Sequence, residues 1–220
     1  MEEVIVLRRL WPLTGIAFFV AWIAGFALHA GSDGLTSPTA AVSYYAAHQT
    51  AISASIMAWT VAAVLLVFFA ANLQSAAADR GRGEPGPLPG AILGGGVAWS
   101  VGILFTALTH DALLHASIDG QTAVAPVALV LANEDFVPTV AGIAILCLAA
   151  GVAGFLGAVV PRWLGAVALL IGLLAVAGPL GMYAFLAAPV WILIVAVVEL
   201  RRAFAGNQRR LPAQPTGAEA

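Results

Sequence analysis

The chain contains no lysine, a single cysteine and few charges of either sign: only 9% of its 220 residues are Asp, Glu, Lys or Arg, against about a quarter in ordinary globular domains. That scarcity excludes a soluble globular domain, and with 61% hydrophobic residues it excludes a disordered chain as well. Cys147 alone offers neither a disulfide framework nor a cysteine-based zinc or iron–sulfur site. A net charge of −2 gives no basic surface for nucleic acid. Gly and Pro show no triplet repeat, so collagen-like structure is out too. A mean hydropathy of +0.98 places the chain among helical membrane proteins.

What the sequence has is long apolar runs. A hydrocarbon core of about 30 Å needs about 20 apolar residues at 1.5 Å each. Six stretches meet the requirement, approximately residues 11–29, 51–72, 91–110, 136–160, 163–180 and 182–199. The last two share one run, which the Gly178-Pro179-Leu180-Gly181 sequence divides at a reversal. The expected fold is an all-α membrane protein, six transmembrane helices in one bundle over residues 1–202, with a disordered tail at 203–220.

Arginine placement orients this bundle, because short cytoplasmic loops retain Arg whereas translocated loops lack it. With six spans, Arg8, Arg9, Arg80, Arg82, Arg162, Arg201, Arg202, Arg209 and Arg210 all fall on one side. Both termini are therefore assigned to the cytoplasm and the protein to a bacterial plasma membrane. A signal peptide ending near Ala30 is the competing reading of the first span. Leu28 is a poor residue before a cleavage point, and removal would spoil the even topology. The segment from Leu73 to Gly90 reads as a flexible inner loop.

The outer side carries the residues able to do chemistry. Ser37-Pro38 is suited to begin a short helix through His48, with Tyr44 and Tyr45 near the headgroups. Thr122 to Asn133 is apolar but only about 18 Å long as a helix, which suits an interfacial segment. His29, His48, His110 and His115 fall at outer helix ends beside Asp111, Glu134 and Asp135. His29, His48, His110, Asp111 and His115 are thus candidate ligands for a divalent transition metal. Solvated helix ends are the alternative, since insertion keeps Arg from that side and leaves His and Asp as its polar residues. The spelling His110-Asp111-Ala-Leu-Leu-His115 lacks the i, i+4 histidine pair of the zincins. Glu134 and Asp135 are the candidate catalytic acids, because a carboxylate at the edge of an apolar cavity can donate a proton near neutral pH. Their competing role is capping the fourth span, a role Asp135 suits directly.

Trp22, Trp59, Trp99 and Trp191 lie inside spans, where they either pack among small residues or line a cavity for a lipophilic ligand. Gly94, Gly95, Gly96 and Gly102, with Gly151, Gly154 and Gly157, permit close helix approach. Glu199 is the only charge inside a span, which disfavours a proton-coupled transporter or channel.

Four short motifs, Arg8-Arg9-Leu10-Trp11, Tyr44-Tyr45-Ala46-Ala47-His48, Asn133-Glu134-Asp135-Phe136 and Pro161-Arg162-Trp163-Leu164-Gly165, occur in an order that resembles a broad group of multi-pass membrane proteins of high-GC bacteria, known as domain-of-unknown-function proteins. The resemblance covers residues 8 to 200 and implies the fold, with no substrate attached. The reading of the residues is a non-catalytic binding, sensing or interaction protein in contact with the lipid bilayer, with an outward His/carboxylate cluster for a metal or small lipophilic ligand. Its alternative is a small membrane-embedded enzyme, a cyclase initiated by acid or a hydrolase, acting on a lipophilic substrate.

Overall fold

The computed structural model describes residues 11–29, 35–80, 86–120, 123–157 and 160–208. Apolar runs of this length, rich in Ala and Leu, leave their backbone polar groups one economical solution, the α-helix. The described residues form eight α-helices: α1 (Pro12–His29), α2 (Pro38–Ala47), α3 (Gln49–Arg80), α4 (Pro87–Ile118), α5 (Ala125–Asn133), α6 (Phe136–Phe155), α7 (Arg162–Val176) and α8 (Gly181–Gln208). Five helical stretches are long and apolar enough to cross a membrane, and α7, with 15 residues, is a shorter apolar helix. The final apolar run is broken where a 3-10 turn over Gly178–Leu180 separates α7 from α8. Gly178 there has φ +62°, a left-handed backbone that favours glycine.

Several helix boundaries differ from the expected ones. Helix α3 continues through the alanines at 76–78 to Arg80, and Pro87 already opens α4, so most of the segment expected as an inner loop is helical. Ala is the strongest helix former and Pro is at ease in a first turn. Helix α4 runs on past His110 to Ile118. Helix α8 extends to Gln208, which makes residues 203–208 helical where disorder was expected; residues 209–220 lie outside the described ones.

The six long or apolar helices close into a ring in the order α1, α3, α4, α6, α7, α8 and back to α1. Between them lies a core of Phe18, Phe69, Trp99, Ile143 and Trp191, all buried. Small residues set the spacing. Gly95 receives the α6 backbone at Leu146, Gly96 the Ala70 methyl, Gly142 the α4 backbone at Trp99, and Gly154 meets Gly165. Gly94 faces open space, and Gly157 ends α6 with φ +74°. Two of the tryptophans inside the ring are packing residues: Trp99 is wholly buried, and Trp191 is buried with its indole N–H donating to the Leu164 carbonyl at 3.0 Å. Helices α2 and α5 lie across one end of the ring, where Ala41, Tyr45, Ile52, Leu113 and Leu129 form a second, smaller apolar cluster.

Candidate functional site

The central core and this end cap are not packed solidly together. They leave a cavity of about 520 Å³ bordered by α1, α3, α4, α6 and α8 and roofed by Tyr45 of α2 and Leu129, Ala132 and Asn133 of α5. Its walls are chiefly apolar and carry six Trp, Tyr or Phe rings. Trp22, Phe26 and Phe185 pack ring on ring at 5.0 to 5.7 Å, Phe26 continues to Trp59 at 5.4 Å, and Phe136 meets Phe185 at 5.4 Å. Trp59 is held in place by its close fit against the bare Gly25 backbone of α1.

One wall is polar. Tyr45 is almost fully buried and its hydroxyl lies 2.5 Å from His110 Nδ1. His110 Nε2 faces Asp135 Oδ2 across 3.7 Å. The tyrosine hydroxyl and His110 Nδ1 share a hydrogen bond whose direction follows the imidazole tautomer. The buried His29 ring stands edge-on to His110 at 4.2 Å, and its Nδ1 lies 3.4 Å from Ser55 Oγ. The Ser55 hydroxyl donates to the Ile52 carbonyl at 2.9 Å, so the imidazole N–H donates to the serine oxygen.

Asp135 occupies the N-cap position of α6 but makes no side-chain cap hydrogen bond. The missing cap bond has a local cause. An N-cap residue needs extended backbone, whereas α5, Glu134, Asp135 and α6 follow almost without interruption, and Asp135 is held at φ −67°, ψ −13°. Its carboxylate turns into the cavity wall instead. Glu134 is exposed at the end of α5, its N–H donating to the Val130 and Leu131 carbonyls at 3.2 Å, and it does not border the cavity.

The expected five-residue metal cluster is distributed over three places. His29 and His110 come together. His48, exposed on the far side of α2, stacks on Tyr44 at 4.2 Å and its Nδ1–H donates to the Tyr44 carbonyl at 2.9 Å. His115 and Asp111 form an exposed i, i+4 pair at 3.5 Å, as a continuous α4 requires. Five helical residues turn through about 140° net, which separates His110 from His115. Among the described residues no group of three or more His, Cys, Asp or Glu side chains is arranged to hold a metal ion.

Sequence reasoning had assigned Tyr45 to the headgroup region and had left Thr106, Thr139 and Phe185 without a role; all four border the cavity. Only the Tyr44-Tyr45 doublet could have signalled this, since adjacent residues on a helix point about 100° apart and one of two must face inward. Comparison of the chain with protein-family models, curated proteins and solved structures returned no match.

Proposed function

We propose that the chain is a six-span bacterial plasma-membrane protein that binds a lipophilic small molecule in the cavity beneath α2 and α5, without catalysing its conversion. The observation that carries this is the cavity itself. Its volume of about 520 Å³ falls in the range of about 300–1,000 Å³ usual for small-molecule sites, and an apolar aromatic wall with a few convergent polar groups is the composition of such sites. Helix α7 completes the six spans. Its 15 residues reach about 22 Å, a shortfall that local bilayer thinning accommodates, and Trp163, exposed at its start, suits an interfacial anchor. Arg162, Arg201 and Arg202 stand at the end of the ring opposite the cavity, which supports cytoplasmic termini and an outward-facing site.

Native mass spectrometry of the full chain released from membranes in mild detergent tests the reading. A co-purifying lipophile, lost in Ala132→Trp, supports it; a bare wild-type protein unaffected by any added lipophile overturns it.

The alternative, an enzyme using acid–base chemistry on a lipophilic substrate, is favoured by one observation, the Tyr45–His110–Asp135 alignment. If ligand bound to Asp135→Asn is recovered intact while the wild type returns it altered, the catalytic reading replaces the binding one.

A further inference from the structure

How a ligand reaches the cavity depends on which wall is thinnest, on the footing that the cavity is a ligand site. Toward α2 and α5 an entrant would have to part a packed apolar cluster, in which Tyr45, Leu113 and Leu129 of the lining are buried with Ala41 and Ile52. Toward α3 and α4 the lining residues Trp59 and Ile103 are buried, and Trp59 is wedged against α1 at Gly25. The start of α8 is different. Met182, Phe185 and Leu186, spaced to share one helix face, border the cavity, and Met182 and Leu186 are at the same time 52% and 61% exposed. A single layer of flexible side chains thus stands between the cavity and the lipid.

The backbone behind that layer is weak at both ends. Pro189 lies inside α8 and is buried. It has no N–H, so the carbonyl of Phe185, four residues earlier, loses its helical donor and meets the proline ring, a common cause of a bend or hinge. At the other end a 3-10 turn with Gly178 at φ +62° joins α8 to α7. The segment from Gly181 to Ala188, about 12 Å of helix, is therefore bounded by two interruptions of the hydrogen-bond ladder, and it is the segment that carries the thin wall. We propose that the first two turns of α8 are a lateral gate, hinged at Pro189 and at the Gly178–Leu180 turn, through which a lipophile dissolved in the adjoining leaflet enters the cavity sideways from the bilayer.

The test uses the full chain in lipid nanodiscs, given a hexadecanol with a diazirine in its chain, photolysed at intervals after the addition and mapped for labelled residues by mass spectrometry. Label on Trp59 and Ile103, both buried, reports loading of the cavity. In a Cys147→Ala background, Val140→Cys with Gly181→Cys pins the gate to α6, because a carbon added at Gly181 would stand 3.3 Å from Val140 Cγ1, within bridging reach. Closing the bridge with copper-phenanthroline should slow interior labelling at least about tenfold, and dithiothreitol should restore it. Pro189→Ala, which returns the missing N–H, should slow loading severalfold and leave the final extent of labelling unchanged; it decides alone if the bridge does not form. Ala132→Trp should abolish interior labelling. Interior label that appears at the wild-type rate with the bridge closed or in Pro189→Ala, yet is lost in Ala132→Trp, overturns the gate and leaves the cavity reading standing. Slowing that dithiothreitol does not reverse also overturns the gate. If the interior of the wild type takes no label, or labelling ignores Ala132→Trp, both fall.

Discussion

Asp135 and Tyr45 show how a single side chain's role follows from the element behind it. Because Asp135 contributes no cap bond, the helix-capping cost of about 1 kcal/mol that Ala imposes at a working N-cap is not expected in Asp135→Ala, and its thermal unfolding in detergent should match that of Asp135→Asn. Tyr45→Phe is different. It removes a buried hydrogen bond and leaves His110 Nδ1 without its partner, a change worth about 1–3 kcal/mol. A correspondingly lower unfolding midpoint is expected, while His48→Ala and His115→Ala, both at exposed sites, should stay within about 0.5 kcal/mol of wild type. An equal loss in all three histidine-layer variants would show that the outer histidines act as one unit, contrary to the separation seen here.

At the scale of the elements, helix spacing is set by glycines with very different surroundings. A methyl at Gly102 would stand 2.6 Å from the Thr139 backbone nitrogen and 2.7 Å from its Cα. Neither atom can move without shifting α6, and overpacking of this kind costs about 1–3 kcal/mol. Gly94, eight residues earlier on the same helix, has nothing within 4 Å of the added carbon, so Gly94→Ala should be neutral or stabilising by up to about 1 kcal/mol through helix propensity. Midpoints of thermal unfolding for the two variants separate the cases, and similar values for both would mean that α4 and α6 are not in the close contact described. Sequence inspection marked the Gly94-Gly95-Gly96 run as one feature. The neighbours divide it, because three successive helical positions face three directions.

For the molecule as a whole, the arginine distribution makes a prediction of sidedness. In a Cys147→Ala background, Asp119→Cys at the cavity end should react with a membrane-impermeant thiol reagent on intact cells, and Ala78→Cys, near the arginine end of α3, should react only after permeabilisation. The reverse pattern would place the cavity on the cytoplasmic side and invert the topology. Both positions are exposed, so access to the reagent is governed by the membrane and not by burial.

The apolar runs and the turn at Gly178–Leu180 were legible from the amino-acid order alone, because the bilayer thickness and the need to satisfy backbone polar groups act on each segment separately. That His and carboxylate residues gather near helix ends could be read in the same way. Their partners could not. Whether His110 meets His115 or His29, whether Asp135 caps α6 or turns to His110, and whether Trp59 fills the core or borders a cavity all depend on helix rotation and on how closely glycines let neighbouring backbones approach. These are properties of contacts between segments far apart in the chain. Tertiary packing therefore decided the site, by bringing Tyr45 of α2, His110 of α4 and Asp135 just before α6 to one wall and by leaving the space between core and cap unfilled.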